Sequence, residues 1–142
     1  ITKFYKGYKS LDMRQGELIT RVRVPLPADG ELLRLYKVSR RRDLDIASFT
    51  AAIRMRVEGD TITEAAIAFG AVGPTVIRAP KTEGFLRGRP LDEETMQRAG
   101  DVAISEITPI SDVRGAADYR YQLTRNILLK FIHESQELSV LV

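Results

Sequence analysis

Between Phe49 and Val57 every second residue is apolar (Phe49, Ala51, Ile53, Met55, Val57), and Arg54 and Arg56 stand between them. Period two is the strand signature, because successive side chains leave opposite faces of a sheet. A long strand with one buried and one charged face is therefore expected. Leu32 to Val38 predicts a strand before it. EGDT (58–61) predicts a tight turn after it, with Gly59 free to take positive φ. In the next strand, ITEAAIAFGAV, Ala65, Ile67, Phe69 and Ala71 fall on one side and Ala66, Ala68 and Gly70 on the other. Small residues on a strand face imply close approach of another body, most cheaply a packed helix and occasionally a ligand. Residues 31–71 thus read as a three-stranded antiparallel meander.

Upstream, ELITRVRVP alternates, with Leu18, Val22 and Val24 on one face and Ile19, Arg21 and Arg23 on the other. A strand over 17–25 is expected, ended by Pro25, which cannot donate to a ladder. Residues 1–16 read as an irregular lead-in with turn points at Gly7 and Gly16. PLPADG (25–30) is the clearest break, and it divides the chain into residues 1–29 and 30–142.

Downstream the period changes to that of helices. Pro80 opens a short helix through KTEGFLRG that stops near Gly88. Asp92 is placed to cap a second helix, Glu93 and Glu94 meet its positive end, and Leu91 can staple onto Met96. Met96, Ala99, Ala103 and Ile107 follow at helical spacing before Pro109. A last helix is expected from Ala116 to Leu138, with Leu123, Ile127, Phe131 and Leu138 facing inward. Strands followed by helices indicate an α+β fold: the meander, then about three helices packed on one face.

Composition narrows the chemistry. A chain of 142 residues with 44% hydrophobic and 29% charged residues suits one soluble domain. A net charge of +3, from 22 basic and 19 acidic residues spread along the chain, carries no basic stripe for nucleic acid. The absence of cysteine excludes disulfides, thiol catalysis and cysteine-held metal clusters within these residues, and the lone histidine, His133, cannot build a multi-histidine site. No apolar run is long enough to span a membrane, and no signal peptide is evident, so a cytoplasmic location is expected. The opening residue, Ile1, suggests the interior of a longer polypeptide. Phosphate-loop, dinucleotide, nucleophile-elbow and zinc-protease motifs are all missing, which argues against a self-contained enzyme.

One stretch resists a plain reading. KVSRRRDLDIAS (37–48) joins two strands but packs Arg40, Arg41 and Arg42 against Asp43 and Asp45. It is either an ion-paired corner or a loop shaped to meet something anionic or polar. Guanidinium forks suit phosphate, although the two aspartates neutralise much of the charge. Further on, Arg114, Arg120 and Arg125 can pair with Asp112 and Asp118.

The ordered segments FYKGYKS, GELITRVRVPLP, YKVSRRRDLDIAS, AAIAFGAVGPTVIRAPKTEGFLRG and DVRGAADYRYQLTRNILLKFI resemble the C-terminal part of the FAD-binding subunit of molybdenum hydroxylases. These are the xanthine dehydrogenase and carbon monoxide dehydrogenase flavoproteins, and the resemblance is closest to the xanthine dehydrogenase type. R-R-x-x-D-I-A and D-x-R-G-x-x-x-Y-R are its most specific motifs. The resemblance implies that residues 1–29 form the tail of an upstream FAD-binding domain and residues 30–142 a C-terminal domain covering the flavin. Electrons would reach that flavin from iron–sulfur clusters and a molybdenum cofactor in partner domains or subunits, then pass to NAD or another acceptor. It further implies flavin contacts from Ile19 and Lys37, and tuning of the flavin and its acceptor by Arg41, Arg42, Asp43 and Asp45. Leu44 stands where some animal members carry an acid, which argues against loop switching between acceptors. The competing expectation is an interaction module of the same fold that binds no flavin.

Overall fold

The computed structural model describes residues 3–139, with side chains through Ser135. A small hairpin comes first, β1 (Tyr5–Gly7) against β2 (Ser10–Leu11). It replaces the irregular lead-in expected there. The strand expected over 17–25 is not formed: residues 17–28 take no regular structure, and Leu18 and Val24 are about three-quarters exposed (73% and 74%). Alternation encodes a face but not a neighbour, and a strand is held by the ladder it makes. Among the described residues nothing pairs with this segment.

The main sheet is antiparallel, in the order β3 (Glu31–Val38), β4 (Phe49–Glu58), β5 (Thr61–Gly70), β6 (Ile77–Arg78). The expected meander is present with its β4–β5 turn, where Gly59 takes φ 59°. A fourth strand of two residues is added to it. β6 pairs Ala68 with Arg78 and Phe69 with Ile77 at the end of β5, too briefly for periodicity to mark it.

Helices cover one face. α1 (Pro80–Leu86), α2 (Glu93–Ala103) and α3 (Ala117–Ser139) lie over the large apolar side chains of β4 and β5, where Phe49, Ile53, Met55, Ile67 and Phe69 are fully buried. They leave the small-residue face open, so Ala52, Ala66 and Ala68 stay half-buried. The helix expected against that alanine face packs instead on the face with more apolar area to remove from water. Asp92 caps α2 by accepting from the Thr95 N–H at 2.7 Å. The inner side of α3 is Thr124, Ile127, Leu128, Phe131 and Ile132, while Leu123 is only partly buried. The side chain of Leu138 lies outside the described residues. Arg125 pairs with Asp101 on α2 at 2.6 Å rather than with Asp118. His133 is exposed and stands 3.6 Å from Glu93.

Glu106, in the single 3-10 turn after α2, reaches back to cap α1. Its carboxylate accepts from the N–H of Lys81 (2.8 Å), the N–H of Thr82 (2.9 Å) and the buried Thr82 hydroxyl (2.6 Å). Removing it leaves helix-start donors and a buried hydroxyl unsatisfied, so Glu106→Ala is expected to cost about 2–3 kcal/mol. Urea denaturation checks this. A loss below about 0.5 kcal/mol would show that water replaces the carboxylate.

Candidate functional site

The charged loop, residues 39–47, is closed at its base by the Ser48 N–H donating to the Val38 carbonyl at 2.7 Å. Inside it Asp45 accepts from the N–H groups of Arg41 and Ile46, each at 2.9 Å. The Arg41 guanidinium donates to the Leu44 carbonyl at 3.0 Å and lies 3.7 Å from the Asp45 carboxylate. These bonds hold Leu44 at φ 50°, a left-handed backbone that a β-carbon disfavours, with its side chain 96% exposed. The Arg41 N–H, seconded by the guanidinium and by the Ile46 and Arg40 N–H groups, holds the Asp45 carboxyl below the usual carboxylate range. The loop is thus an ion-paired corner through Arg41 and Asp45 only.

Its foot is fixed by Arg120 of α3, which is 2% exposed. That guanidinium donates to the Ser48 carbonyl (3.1 Å), to the Ile110 carbonyl and to Asp112 (2.8 Å). The Ser48 hydroxyl in turn donates to the Arg114 carbonyl at 2.9 Å. Asp112 also accepts from the N–H groups of Arg114 and Gly115, and with Arg120 first among the causes its carboxyl is held below the usual range. The Arg120–Asp112 pair expected from sequence is present, and it joins the loop, the 110–115 turn and α3 into one rigid corner.

Two cavities open at this corner. One of about 620 Å³ lies among Tyr8, Ile46, Val76, Ile110, Arg114 and the Arg120–Asp112 pair. Its apolar side chains Tyr8 (74%), Ile46 (63%), Val76 (61%) and Ile110 (70%) are exposed and gathered around one opening rather than scattered singly. The second, about 380 Å³, shares Ile46 and Arg114 and adds Arg40, Arg41, Leu44 and Asp45. A flat ring with one apolar and one polar edge matches the first, and an anion matches the second.

Of the six residues singled out from sequence, only Arg41 and Asp45 line either cavity. Arg42 and Asp43 are exposed on the loop outside both. Lys37 is exposed beside Thr50 on the open sheet face, and Ile19 lines a separate shallow cleft with Phe4 and Arg21. Ile46, Val76 and Ile110 are not among the candidates read from sequence, and Arg114 is read there only as a partner for Asp112 or Asp118, whereas Asp112 pairs with Arg120. An isoleucine closing a run of charges and a D-V-R-G turn were their only local marks. Among the described residues, no three His, Asp or Glu side chains gather as metal ligands, and no helix is long and apolar enough to cross a membrane.

Comparison with known proteins agrees with this architecture. A family model described as CO dehydrogenase flavoprotein C-terminal domain matches residues 34–135. A nicotinate hydroxylase of Emericella nidulans is 34% identical over 146 residues, covering 92% of this chain and 10% of that protein. The solved carbon monoxide dehydrogenase of Hydrogenophaga pseudoflava superposes with a TM-score of 0.82 at 31% identity, over 90% of this chain and 44% of its own. Quinoline 2-oxidoreductase of Pseudomonas putida 86 gives 0.82 at 32%, over 94% and 46%. The chain therefore spans a tenth of that hydroxylase and less than half of either solved chain.

Proposed function

Because the chain belongs to the CO dehydrogenase flavoprotein C-terminal domain family, we propose that it covers the flavin of a molybdenum hydroxylase whose other domains hold most of the FAD. The observation that carries this reading is the cleft beside the charged loop, where Tyr8, Ile46, Val76 and Ile110 leave apolar surface unburied next to a fixed polar corner. These residues fit a flat heterocycle: an apolar wall excludes water from one side, and the Arg120–Asp112 corner keeps that wall from closing. When bound, FAD would accept electrons from iron–sulfur clusters in a partner domain or subunit and deliver them to NAD or another acceptor.

The loop's part is positional and electrostatic. Arg41 and Asp45 set the backbone that presents Ile46 to the cleft. Lys37 and Ile19, which lie apart from the cleft, would touch the flavin where an adjoining domain meets this one. Arg42 and Asp43, exposed at the loop rim, would set the field met by an approaching acceptor. A cation fixed near the ring favours its reduced, anionic form.

Flavin fluorescence quenching tests the reading on this chain alone and on the chain joined to a flavin-holding domain. The joined protein is expected to bind FAD, with Ile46→Ala and Lys37→Ala each weakening binding about five- to tenfold, or about 1–1.4 kcal/mol. Absence of binding in the joined protein would sink the redox reading and leave an interaction module.

A further inference from the structure

We infer that the smaller cavity at the charged loop is an anion site for a phosphoryl group, with Arg114 and Arg40 as its ligands. The inference deepens the flavin reading in one respect only, the identification of the anion as part of a nucleotide; the site itself stands on the charges around it.

Three arginines, Arg40, Arg41 and Arg114, line this cavity of about 380 Å³, and Asp45 is the one acidic residue among its walls. Sequence alone suggests that the aspartates cancel the arginines. The structure separates them. Asp43 does not line the cavity, and Asp45 spends its oxygens on the Arg41 and Ile46 N–H groups and on the Arg41 guanidinium. Asp112, the nearest other acid along the 110–115 turn, lines the larger cleft and is engaged by Arg120.

The remaining cations have no such partner. Among the described residues the Arg40 and Arg114 guanidinium groups make no ion pair and no hydrogen bond to protein. Arg114 is nonetheless half-buried, between the two cavities. An oxyanion that accepts from a planar guanidinium fork not engaged by any protein acceptor gains two charge-assisted hydrogen bonds. The fork geometry suits phosphate better than halide, because two parallel N–H groups can meet two oxygens. The backbone of Arg114 is held by its own N–H on Asp112 and by its carbonyl on the Ser48 hydroxyl, so its side chain starts from a fixed base. That pre-organisation lowers the ordering cost of binding.

The chemistry leaves two sources for such a group: the diphosphate of the flavin nucleotide, or a phosphate of the nucleotide that takes its electrons. Titration calorimetry of the full chain with inorganic pyrophosphate is the direct test. Pyrophosphate is expected to bind at one site, at least tenfold more tightly than acetate. Arg114→Gln and Arg40→Gln should each weaken it fivefold or more, with Arg114→Lys intermediate because it keeps the charge but loses the fork. Arg98→Gln, on the exposed side of α2, should leave it unchanged. Circular dichroism on each variant separates a lost site from a lost fold, and the lysine variant preserves the test should Arg114→Gln unfold. Lack of pyrophosphate binding overturns the proposal, and so does equal weakening in the Arg98 control.

In the protein joined to a flavin-holding domain, displacement of pyrophosphate by FAD assigns the site to the flavin diphosphate, and retention assigns it to the acceptor. Pyrophosphate binding without any flavin binding would leave the anion site standing while removing the flavin reading.

Discussion

Replacing Gly100 by alanine is expected to destabilise the domain by about 3 kcal/mol or more. Gly100 is buried on α2 where α3 crosses it. A β-carbon built at this position would lie 3.0 Å from the Arg125 carbonyl carbon and 3.3 Å from its Cα, with the carbonyl oxygen closer still. The obstacle is helix backbone, which cannot rotate away as a side chain could, so α2 and α3 must separate. Separation would open the layer formed by Met96, Ala99, Leu128 and Phe131, all fully buried. Alanine has the higher intrinsic helix propensity by about 1 kcal/mol, so an outcome near neutrality would mean that propensity offsets a crossing looser than the structure shows. Thermal and urea unfolding measure the result, and a fall in Tm on the order of 10 °C is expected. Gly84 is the control. It lies on α1 with open space around an added β-carbon, so Gly84→Ala should be neutral or stabilising.

Arg120→Met should cost about 3–5 kcal/mol and loosen the charged loop, although residue 120 lies outside it. The substitution keeps an unbranched apolar stem but strands the Ser48 and Ile110 carbonyls and leaves Asp112 without its principal partner. Lysine keeps the charge but not the three-way fork, and should recover only part of the loss. A double-mutant cycle with Asp112→Asn isolates the ion pair from the two carbonyl bonds. If the cycle shows no coupling, the carbonyl contacts alone carry the corner. The Asp112 carboxyl is held below its ordinary value of 3.8, so its folded form binds a proton less readily than the unfolded chain does. The stabilisation it brings is complete above that ordinary value and is lost as pH falls through the lower, folded one. The corner should therefore loosen in acid before the core does, and Arg120→Met should shrink that acid step, leaving the part due to the Arg114 and Gly115 N–H groups.

Much of this domain is legible along the chain because its signals are local. Period two marked β4 and β5, Asp92 marked the start of α2, and Pro80 opened α1, each through the geometry of a few adjacent residues. Ordered motifs carried the family in the same way, and the Arg120–Asp112 pair was within reach because only eight residues separate its members.

What the residues could not declare is who meets whom. Residues 17–25 alternate like a strand, yet a ladder needs a partner, and among the described residues none is offered. The alanine face of β5 suggested a covering helix, but the helices went to the opposite face, where Phe69 and Ile67 remove more apolar area from water. Glu106 caps a helix 24 residues upstream, and Gly100 meets a backbone 25 residues downstream, distances over which periodicity carries no information. The candidate site follows the same division. The chain alone presents three arginines and two aspartates that look balanced. Only tertiary structure turns Asp45 inward onto its own loop and brings Arg114 across from a turn some 70 residues away, leaving an excess of positive charge around one cavity. Sequence determines which surfaces and charges exist, because those are properties of single residues and their near neighbours. Packing decides which of them are spent on one another, because that competition is settled among all the contacts at once.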